Sequence, residues 1–185
     1  MRVISGIAAR RKLYAPEGRE VRPTTDRIKE TLFNILAPVI YEADFLDLFS
    51  GSGGIGIEAL SRGAASTVFV DNSSHAIGCI KKNLELTKLD RNSEVLRMDV
   101  NAAISRMYSQ GKQFDIIFLD PPYNREMEKD TIKTLDRYPI LKPDGMIIAE
   151  ASAETGFDFI EETGFIITRE KKYGSNKHIF IAYKS

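Results

Sequence analysis

The sequence predicts an α/β fold built on a mostly parallel sheet, and three observations support this prediction. Short apolar runs typical of buried strands alternate with helical patterns along most of the chain. A glycine-rich turn over residues 51–56 directly follows the first of these runs and opens a helix. The last two runs are separated by only about nine residues, too few for a helical crossover, so we expect them to pair as an antiparallel hairpin.

Five strands are predicted before this hairpin, with helical patterns between them. The strands are predicted at 45–49, 67–70, 95–98, 114–119 and 146–149, and the hairpin strands at 165–168 and 178–183. The helices are predicted to include residues 55–60, 77–89, 104–107, 126–135 and 154–163. Ser73 or Ser74 is placed to cap the second of these helices. Short connections of this kind favour adjacent, right-handed crossovers within one sheet.

The first forty residues are predicted to be a small extension of the same domain, with residues 41–185 forming its main part. Residues 2–21 are expected to form an extended hairpin. Thr24-Thr25-Asp26 is then expected to cap a helix whose apolar side includes Leu32, ending before Pro38.

Composition and length limit the class of protein to which this chain can belong. A chain of 185 residues with 43% hydrophobic and 28% charged residues is typical of one globular domain. No apolar run approaches the roughly 20 residues of a membrane span, and the start lacks the pattern of a secretory signal. Cys79 is the only cysteine, so intrachain disulfides and thiolate metal clusters are excluded and a buried structural thiol is expected. We therefore expect a cytoplasmic protein that binds no metal.

Charge is distributed unevenly although the net charge is zero. Residues 1–30 contain eight Arg or Lys against four acids, and residues 168–185 contain five against one. A neutral chain does not coat nucleic acid indiscriminately. Two basic ends, including Arg10, Arg11 and Lys12, are either chance clusters on solvated faces or contacts to an RNA or DNA backbone. His75 and His178 are predicted to be surface or helix-end residues.

The glycine turn predicts a nucleotide-type cofactor site. Gly51, Ser52 and Gly53 lie at the sharpest part of the turn, where glycine lets a ligand approach the backbone. Asp71 follows Gly51 by twenty residues at the end of the second strand, where it can accept hydrogen bonds from both ribose hydroxyls. Dinucleotide-binding proteins share this pattern, so the turn alone does not identify the cofactor.

Two further acids favour S-adenosylmethionine over NAD. Asp47 lies in the first strand, where a carboxylate would repel a pyrophosphate but attract a sulfonium ion and an amino group. Asp99 follows the third strand and can accept a hydrogen bond from an adenine amine, although an acid there can also cap a helix.

Asp120-Pro121-Pro122-Tyr123, after the fourth strand, is predicted to be the catalytic loop. Two prolines stiffen the loop and hold the Asp120 carboxylate and the Pro121 carbonyl as acceptors for a base amine. Tyr123 can stack on an extruded base, and Asp120 is the nearest acceptor for the proton that the amine loses. Such a loop serves guanine or adenine, in RNA or DNA.

The chain resembles the RsmD family of 16S rRNA guanine-N2 methyltransferases nearly from end to end. The matching motifs are Met1-Arg2-Val3-Ile4-Ser5-Gly6, Arg22-Pro23-Thr24-Thr25-Asp26-Arg27, Phe33-Asn34-Ile35-Leu36, Asp47-Leu48-Phe49-Ser50-Gly51-Ser52-Gly53, Glu58-Ala59-Leu60-Ser61-Arg62-Gly63-Ala64 and Asp120-Pro121-Pro122-Tyr123. The resemblance implies a Rossmann-like, seven-stranded class I methyltransferase fold and methylation of one guanine, G966, in small-subunit assembly. It implies that Arg22, Thr24 and Thr25 help to hold the methionine part of the cofactor, and that the N-terminal extension contacts RNA or ribosomal protein.

Three other functions remain open on the residues alone. A DNA adenine-N6 methyltransferase uses the same loop type, but no segment here is long enough for a target-recognition insertion. An NAD oxidoreductase shares the glycine turn, and a non-catalytic RNA-binding assembly factor could keep the fold. The protein is expected to be a monomer.

Overall fold

A computed structural model describes residues 1–15, 26–122 and 126–184. Its strands are β1 (Asp44–Leu48), β2 (Ser66–Asp71), β3 (Ser93–Arg97), β4 (Phe114–Leu119), β5 (Leu141–Ser152), β6 (Phe165–Tyr173) and β7 (Asn176–Tyr183). Its helices are α1 (Asp26–Leu36), α2 (Gly54–Ser61), α3 (Ser74–Thr87), α4 (Val100–Ser109) and α5 (Met127–Arg137), with short 3-10 helices at Asp90–Asn92 and Asp158–Glu162. None of the helices in these ranges is long and apolar enough to cross a membrane.

The seven strands form one sheet in the order β3-β2-β1-β4-β5-β7-β6. β1 to β5 are parallel, and β7 lies antiparallel between β5 and β6. This confirms the predicted mostly parallel, seven-stranded sheet with an antiparallel C-terminal hairpin. Because the strand order reverses between β1 and β4, a crevice opens at the carboxyl ends of these two strands.

The sheet is covered on both faces. α4 and α5 pack on one face, where Ile104, Met107 and Ile132 meet the apolar side chains of the central strands. α1 and α2 cover the other face, and Leu32 and Phe33 are fully buried there. Each such side chain contributes roughly 1.5–3 kcal/mol through removal of its apolar surface from water. The central strands are therefore rigid supports for whatever lies at their carboxyl ends.

The end of the chain differs from the sequence prediction in two places. The helix predicted at 154–163 is wrong, since only the 3-10 helix Asp158–Glu162 forms after Gly156, a residue that disfavours a continuous helix. The hairpin strands are longer than predicted, and only Gly174 and Ser175 separate them. Gly174 has a φ of +61°, which permits this tight turn.

The N-terminal segment, residues 1–15, is attached to α2 in part through a buried acid, Glu58. Its carboxylate accepts hydrogen bonds from Ile4 N–H (2.8 Å) and Ser5 N–H (3.0 Å), and it forms ion pairs with Lys29 (3.2 Å) and Arg62 (2.8 Å). Both Glu58 and Lys29 are completely buried. Burial lowers the pKa of Lys29, and the neighbouring Glu58 charge opposes that shift.

The predicted hairpin over residues 2–21 is present only in part. Arg2 and Lys12 form an antiparallel bridge, and the segment between them turns back over α2. Gly6 lies so close to this helix that a Cβ there would be 1.8 Å from the Ser61 carbonyl oxygen. Residues 16–21 lie outside the described ranges, whereas the predicted helix after Asp26 is confirmed as α1.

Candidate active site

The glycine turn lies at the crevice between β1 and β4 and is held by backbone hydrogen bonds to β2. Ser50 N–H donates to the Val70 carbonyl (3.0 Å), and Val70 N–H donates to the Ser50 hydroxyl (2.9 Å). Phe49 and Gly51 have φ values of +59° and +57°, in the left-handed region. A Cβ built at Gly51 would have no neighbour closer than the Phe49 carbonyl oxygen at 4.0 Å. The turn therefore presents open backbone at the crevice.

Asp71 fixes this turn from the end of β2. One carboxylate oxygen accepts from Gly51 N–H (3.0 Å) and the other accepts from Ser73 N–H (2.9 Å). Ser73 itself caps α3 by accepting from Ala76 N–H, as predicted. Each carboxylate oxygen of Asp71 has a second lone pair, so the predicted bonds to ribose hydroxyls are compatible with this structural role.

Ser52 connects the turn to the N-terminal segment. Its carbonyl oxygen accepts from the Asn83 amide (2.9 Å), which also donates to the Tyr14 carbonyl (3.0 Å). The buried Cys79 thiol donates to the same Tyr14 carbonyl (3.1 Å), so this cysteine is a structural thiol as predicted. Asn83 belongs to no recognisable motif, although a polar residue on the buried side of a predicted helix is a usable signal.

Asp47 is buried beneath the turn and has one described hydrogen bond, from Gly56 N–H (3.0 Å). Burial raises the pKa of its carboxyl to about 7, the Gly56 hydrogen bond opposes this shift, and the Asp71 charge adds to it. Within the described residues it forms no ion pair with Lys or Arg. A buried carboxylate without a cation is costly, and a cationic ligand would remove that cost.

Asp120 begins the predicted catalytic loop immediately after β4. Its N–H donates to the Leu48 carbonyl (3.4 Å), which joins the loop to the end of β1. Pro121 is buried and Pro122 is exposed, while Tyr123 lies outside the described ranges. Burial raises the pKa of the Asp120 carboxyl well above its usual value, and the charges of Glu150, Asp47 and Glu128 raise it further. The structure therefore places Asp47 close enough to Asp120 for the two charges to interact.

Two acids near Asp120 were missed by the sequence analysis. Glu128, in the first turn of α5, is buried, and burial raises its pKa. Glu150, near the end of β5, is also buried and lies 3.2 Å from the ring nitrogen Nε2 of His178. The sequence signal for Glu150 was its position directly after the apolar run 146–149.

The predicted surface position of His178 is wrong, because pairing between β5 and β7 places it inside the protein. His75 is exposed, as predicted.

The other predicted site residues have different surroundings. Asp99 is exposed and caps α4, with one oxygen accepting from Ala102 N–H (3.0 Å), so its role toward an adenine amine stays a prediction. Arg10, Arg11 and Lys12 are exposed on the N-terminal segment. Three predicted cofactor-binding residues lie outside the described ranges: Arg22, Thr24 and Thr25.

The crevice as described is acidic and has an open backbone turn on one side. Asp47, Asp71, Asp120 and Glu128 lie around it, and none of them is paired with a lysine or arginine in the described part of the chain. No group of three or more His, Cys, Asp or Glu side chains there is arranged to hold a metal. A ligand with a positive centre and hydroxyl groups fits these carboxylate acceptors, whereas the negatively charged pyrophosphate does not.

Comparison with known proteins agrees with this geometry. Residues 1–182 match the family model described as Conserved hypothetical protein 95. The chain is 37% identical over 174 residues to Ribosomal RNA small subunit methyltransferase D of Escherichia coli strain K12, covering 94% of this chain and 85% of that protein. It is 42% identical over 175 residues to the YlbH protein of Bacillus subtilis strain 168, covering 94% of each.

Solved structures give the same result. The yhhF protein of Escherichia coli superimposes with a TM-score of 0.85 at 36% identity, covering 100% of this chain and 98% of that chain. SMU.776, solved in complex with SAH, shares the fold with a TM-score of 0.68 at 21% identity, covering 83% of this chain and 48% of that chain. The predicted class I methyltransferase fold is thereby confirmed, and the chain belongs to the Conserved hypothetical protein 95 family, which is the RsmD family that its motifs predicted.

Proposed function

We propose that this protein transfers a methyl group from S-adenosylmethionine to the exocyclic N2 amine of a guanine in 16S rRNA, at position 966. The observation that carries the proposal is one juxtaposition at the β1–β4 crevice. An open glycine turn lies beside the Asp120 loop, together with the buried Asp47, which has no lysine or arginine partner among the described residues. One side suits a cationic nucleoside, and the other suits an amine donor.

The relatives support the substrate class. Two proteins named Ribosomal RNA small subunit methyltransferase D, from Escherichia coli and Haemophilus influenzae, are 37% and 34% identical to this chain along nearly its whole length. The Asp120-Pro121-Pro122-Tyr123 loop is compatible with guanine or adenine, so guanine N2 rests on the family resemblance. We further propose that the protein acts as a monomer in the cytoplasm on the small ribosomal subunit or its assembly intermediate.

Each site residue has a proposed task. S-adenosylmethionine supplies an electrophilic methyl carbon whose bond to sulfur breaks with the electron pair remaining on sulfur. Asp47 balances the positive charge of the cofactor, and Asp71 accepts from its ribose while keeping the glycine turn in place. Asp120 and the Pro121 carbonyl accept hydrogen bonds from the base amine and direct its lone pair toward the methyl group. Tyr123 stacks on the extruded base.

The test uses purified protein, labelled cofactor and three substrates: 30S subunits from cells that lack the mark, protein-free 16S rRNA, and duplex DNA. We expect label in ribosomal RNA, and mass spectrometry should place it on guanine N2 at position 966. The Asp120→Asn variant should bind the cofactor but transfer label far more slowly than the wild-type protein. Label in DNA alone, or on an adenine, would refute the proposal and favour an adenine-N6 methyltransferase.

A further inference from the structure

A cluster of buried polar side chains lies next to Asp120, where β5 pairs antiparallel with β7. β4 and β5 are in register at Leu119 and Ala149, so Asp120 and Glu150 are the next residues along the two strands. Glu150 is in turn paired across the sheet with His178 of β7. The pairing of β4, β5 and β7 thus places Glu150 between the catalytic loop and His178.

Glu150 is held firmly in this position. One of its oxygens lies 3.2 Å from His178 Nε2, and the other accepts from the Asn176 amide at 3.3 Å. Glu150 has 2% of its surface exposed and His178 has none exposed. The Tyr173 ring lies edge-on to the His178 ring, with 5.0 Å between centroids, and the Phe118 ring closes the other side at 6.0 Å.

This cluster is poorly arranged for stability alone. His178 Nδ1 and the Tyr173 hydroxyl are both buried and have no hydrogen-bond partner in the described part of the chain. Each orphaned polar atom costs about 1–3 kcal/mol, and most buried polar atoms in proteins have a partner. Apolar side chains would pack these β5–β7 positions without that cost, so the presence of an acid and a histidine next to the catalytic loop indicates a role toward Asp120.

We propose that Glu150, held by His178 and Asn176, is a positioning residue that makes Asp120 the proton acceptor of the reaction. The inference rests on the proposed function. The amine nitrogen forms a bond to the methyl carbon and must lose one proton, because the product amine is neutral. That proton moves from nitrogen to an Asp120 oxygen. A second negative charge beside Asp120 increases its affinity for the proton, as in other carboxylate pairs.

The groups that face Asp120 come from several elements. Asp47 on β1, Glu128 on α5 and Glu150 on β5 all raise the pKa of Asp120, and Glu150 contributes most among the charges. Glu150 itself faces His178 and Tyr173, and its charge raises the pKa of Tyr173 further after burial. Removal of the Glu150 charge is therefore the substitution with the largest expected effect on Asp120.

The first experiment needs no substrate. In protein labelled with ¹³C at aspartate carboxyls, the Asp120 resonance is assigned with Asp120→Asn and followed against pH. We expect Glu150→Gln to move the Asp120 midpoint to lower pH, while the exposed control Glu154→Gln leaves it in place. His178→Phe removes the ring nitrogen that lies 3.2 Å from Glu150, so this acid is held less firmly beside Asp120 and the midpoint should move in the same direction. His178→Gln, which keeps a polar amide at this position, should restore the midpoint toward the wild-type value.

The second experiment measures single-turnover methyl transfer against pH. The acidic limb of the rate profile should move to lower pH in Glu150→Gln by the same amount as the resonance. An Asp120 midpoint that is identical in the wild type, Glu150→Gln and His178→Phe would overturn the inference. If the wild-type protein methylates no RNA, the proposed function fails, but the resonance midpoints still decide whether Glu150 acts on Asp120.

Discussion

Glu58, on one side, and Asp47 with Asp120, on the other, are acids in opposite surroundings. Glu58 and Asp47 are buried, and Asp120 is half-buried. Glu58 accepts from two backbone N–H groups and is paired with Lys29 and Arg62. Asp47 has one backbone hydrogen bond and no lysine or arginine partner in the described chain, and Asp120 adds a second carboxyl nearby. An acid that is paired with cations and hydrogen-bond donors joins parts of the fold. A carboxylate without such partners is unfavourable, and a cationic ligand or a proton can remove that unfavourable free energy.

The pKa values follow from this difference. Loss of contact with water raises the pKa values of Asp47 and Asp120, and neighbouring carboxylates raise them further. Around Glu58 the neighbouring charges are positive. Substitutions at the two sites should therefore separate stability from activity.

The largest expected effect is on stability, at Glu58. Glu58→Gln leaves the buried Lys29 ammonium without its acid and should lower the free energy of unfolding by roughly 3–5 kcal/mol. Urea unfolding followed by circular dichroism measures the change, with the exposed Glu30→Gln on α1 as the matched control. A loss below about 1 kcal/mol would mean that the N-terminal segment does not depend on this acid.

The next effect is on activity, at Asp120. Asp120→Asn keeps the size of the side chain but removes its charge, so methyl transfer should fall roughly 10²–10³-fold. Cofactor affinity should stay close to wild type and the unfolding midpoint should not fall, since the half-buried Asp120 carboxyl has no lysine or arginine partner in the described part of the chain. Asp130→Asn, exposed on α5, is the control. Equal turnover in both variants would contradict the catalytic assignment.

At Asp47, one substitution should raise the stability of the protein and weaken its binding of the cofactor. Its pKa is raised to about 7 in the folded protein, so the carboxyl costs stability as it ionises: the folded state is most favoured below the unfolded pKa of about 4 and loses stability as pH rises toward 7. The loss is of the order of 2–4 kcal/mol.

Asp47→Asn removes this loss and keeps an acceptor for Gly56 N–H. The variant should be more stable than wild type at pH 8, with a difference that shrinks as the pH falls toward 4, and it should bind S-adenosylmethionine more weakly. Urea unfolding across pH and calorimetry check the two effects. A variant less stable than wild type at pH 8 would show that the ionised acid is compensated.

The smallest expected effect concerns the basic N-terminal segment. Neutralising Arg10, Arg11 and Lys12 should weaken RNA binding by roughly 1–2 kcal/mol and flatten its dependence on salt, without changing cofactor affinity. Filter binding at several salt concentrations measures this, with the exposed pair Lys81 and Lys82 on α3 as the control. Equal salt slopes in the two variants would remove the segment from the RNA contact.

The sequence predicted the sheet, and the positions of three acids at its strand ends, because local patterns carry that information. Apolar runs of strand length and a glycine turn after the first run placed Asp47, Asp71 and Asp120 at strand ends. The prediction was wrong where local pattern was weak. Residues 154–163 lack a strong helical signal around Gly156, and His178 was placed at the surface because nothing in its own neighbourhood specified the β5–β7 pairing.

The amino-acid sequence by itself determined the α/β class, the family and the loop after β4, since each depends on residues close together in the chain. The tertiary structure decided which acids are compensated and which are not. Glu58 meets Ile4 and Lys29, and Asp120 meets Glu150, only after distant segments pack together. Burial and neighbouring charge are properties of that packing, so a carboxylate's pKa, and with it the chemistry the acid can perform, is set by the fold.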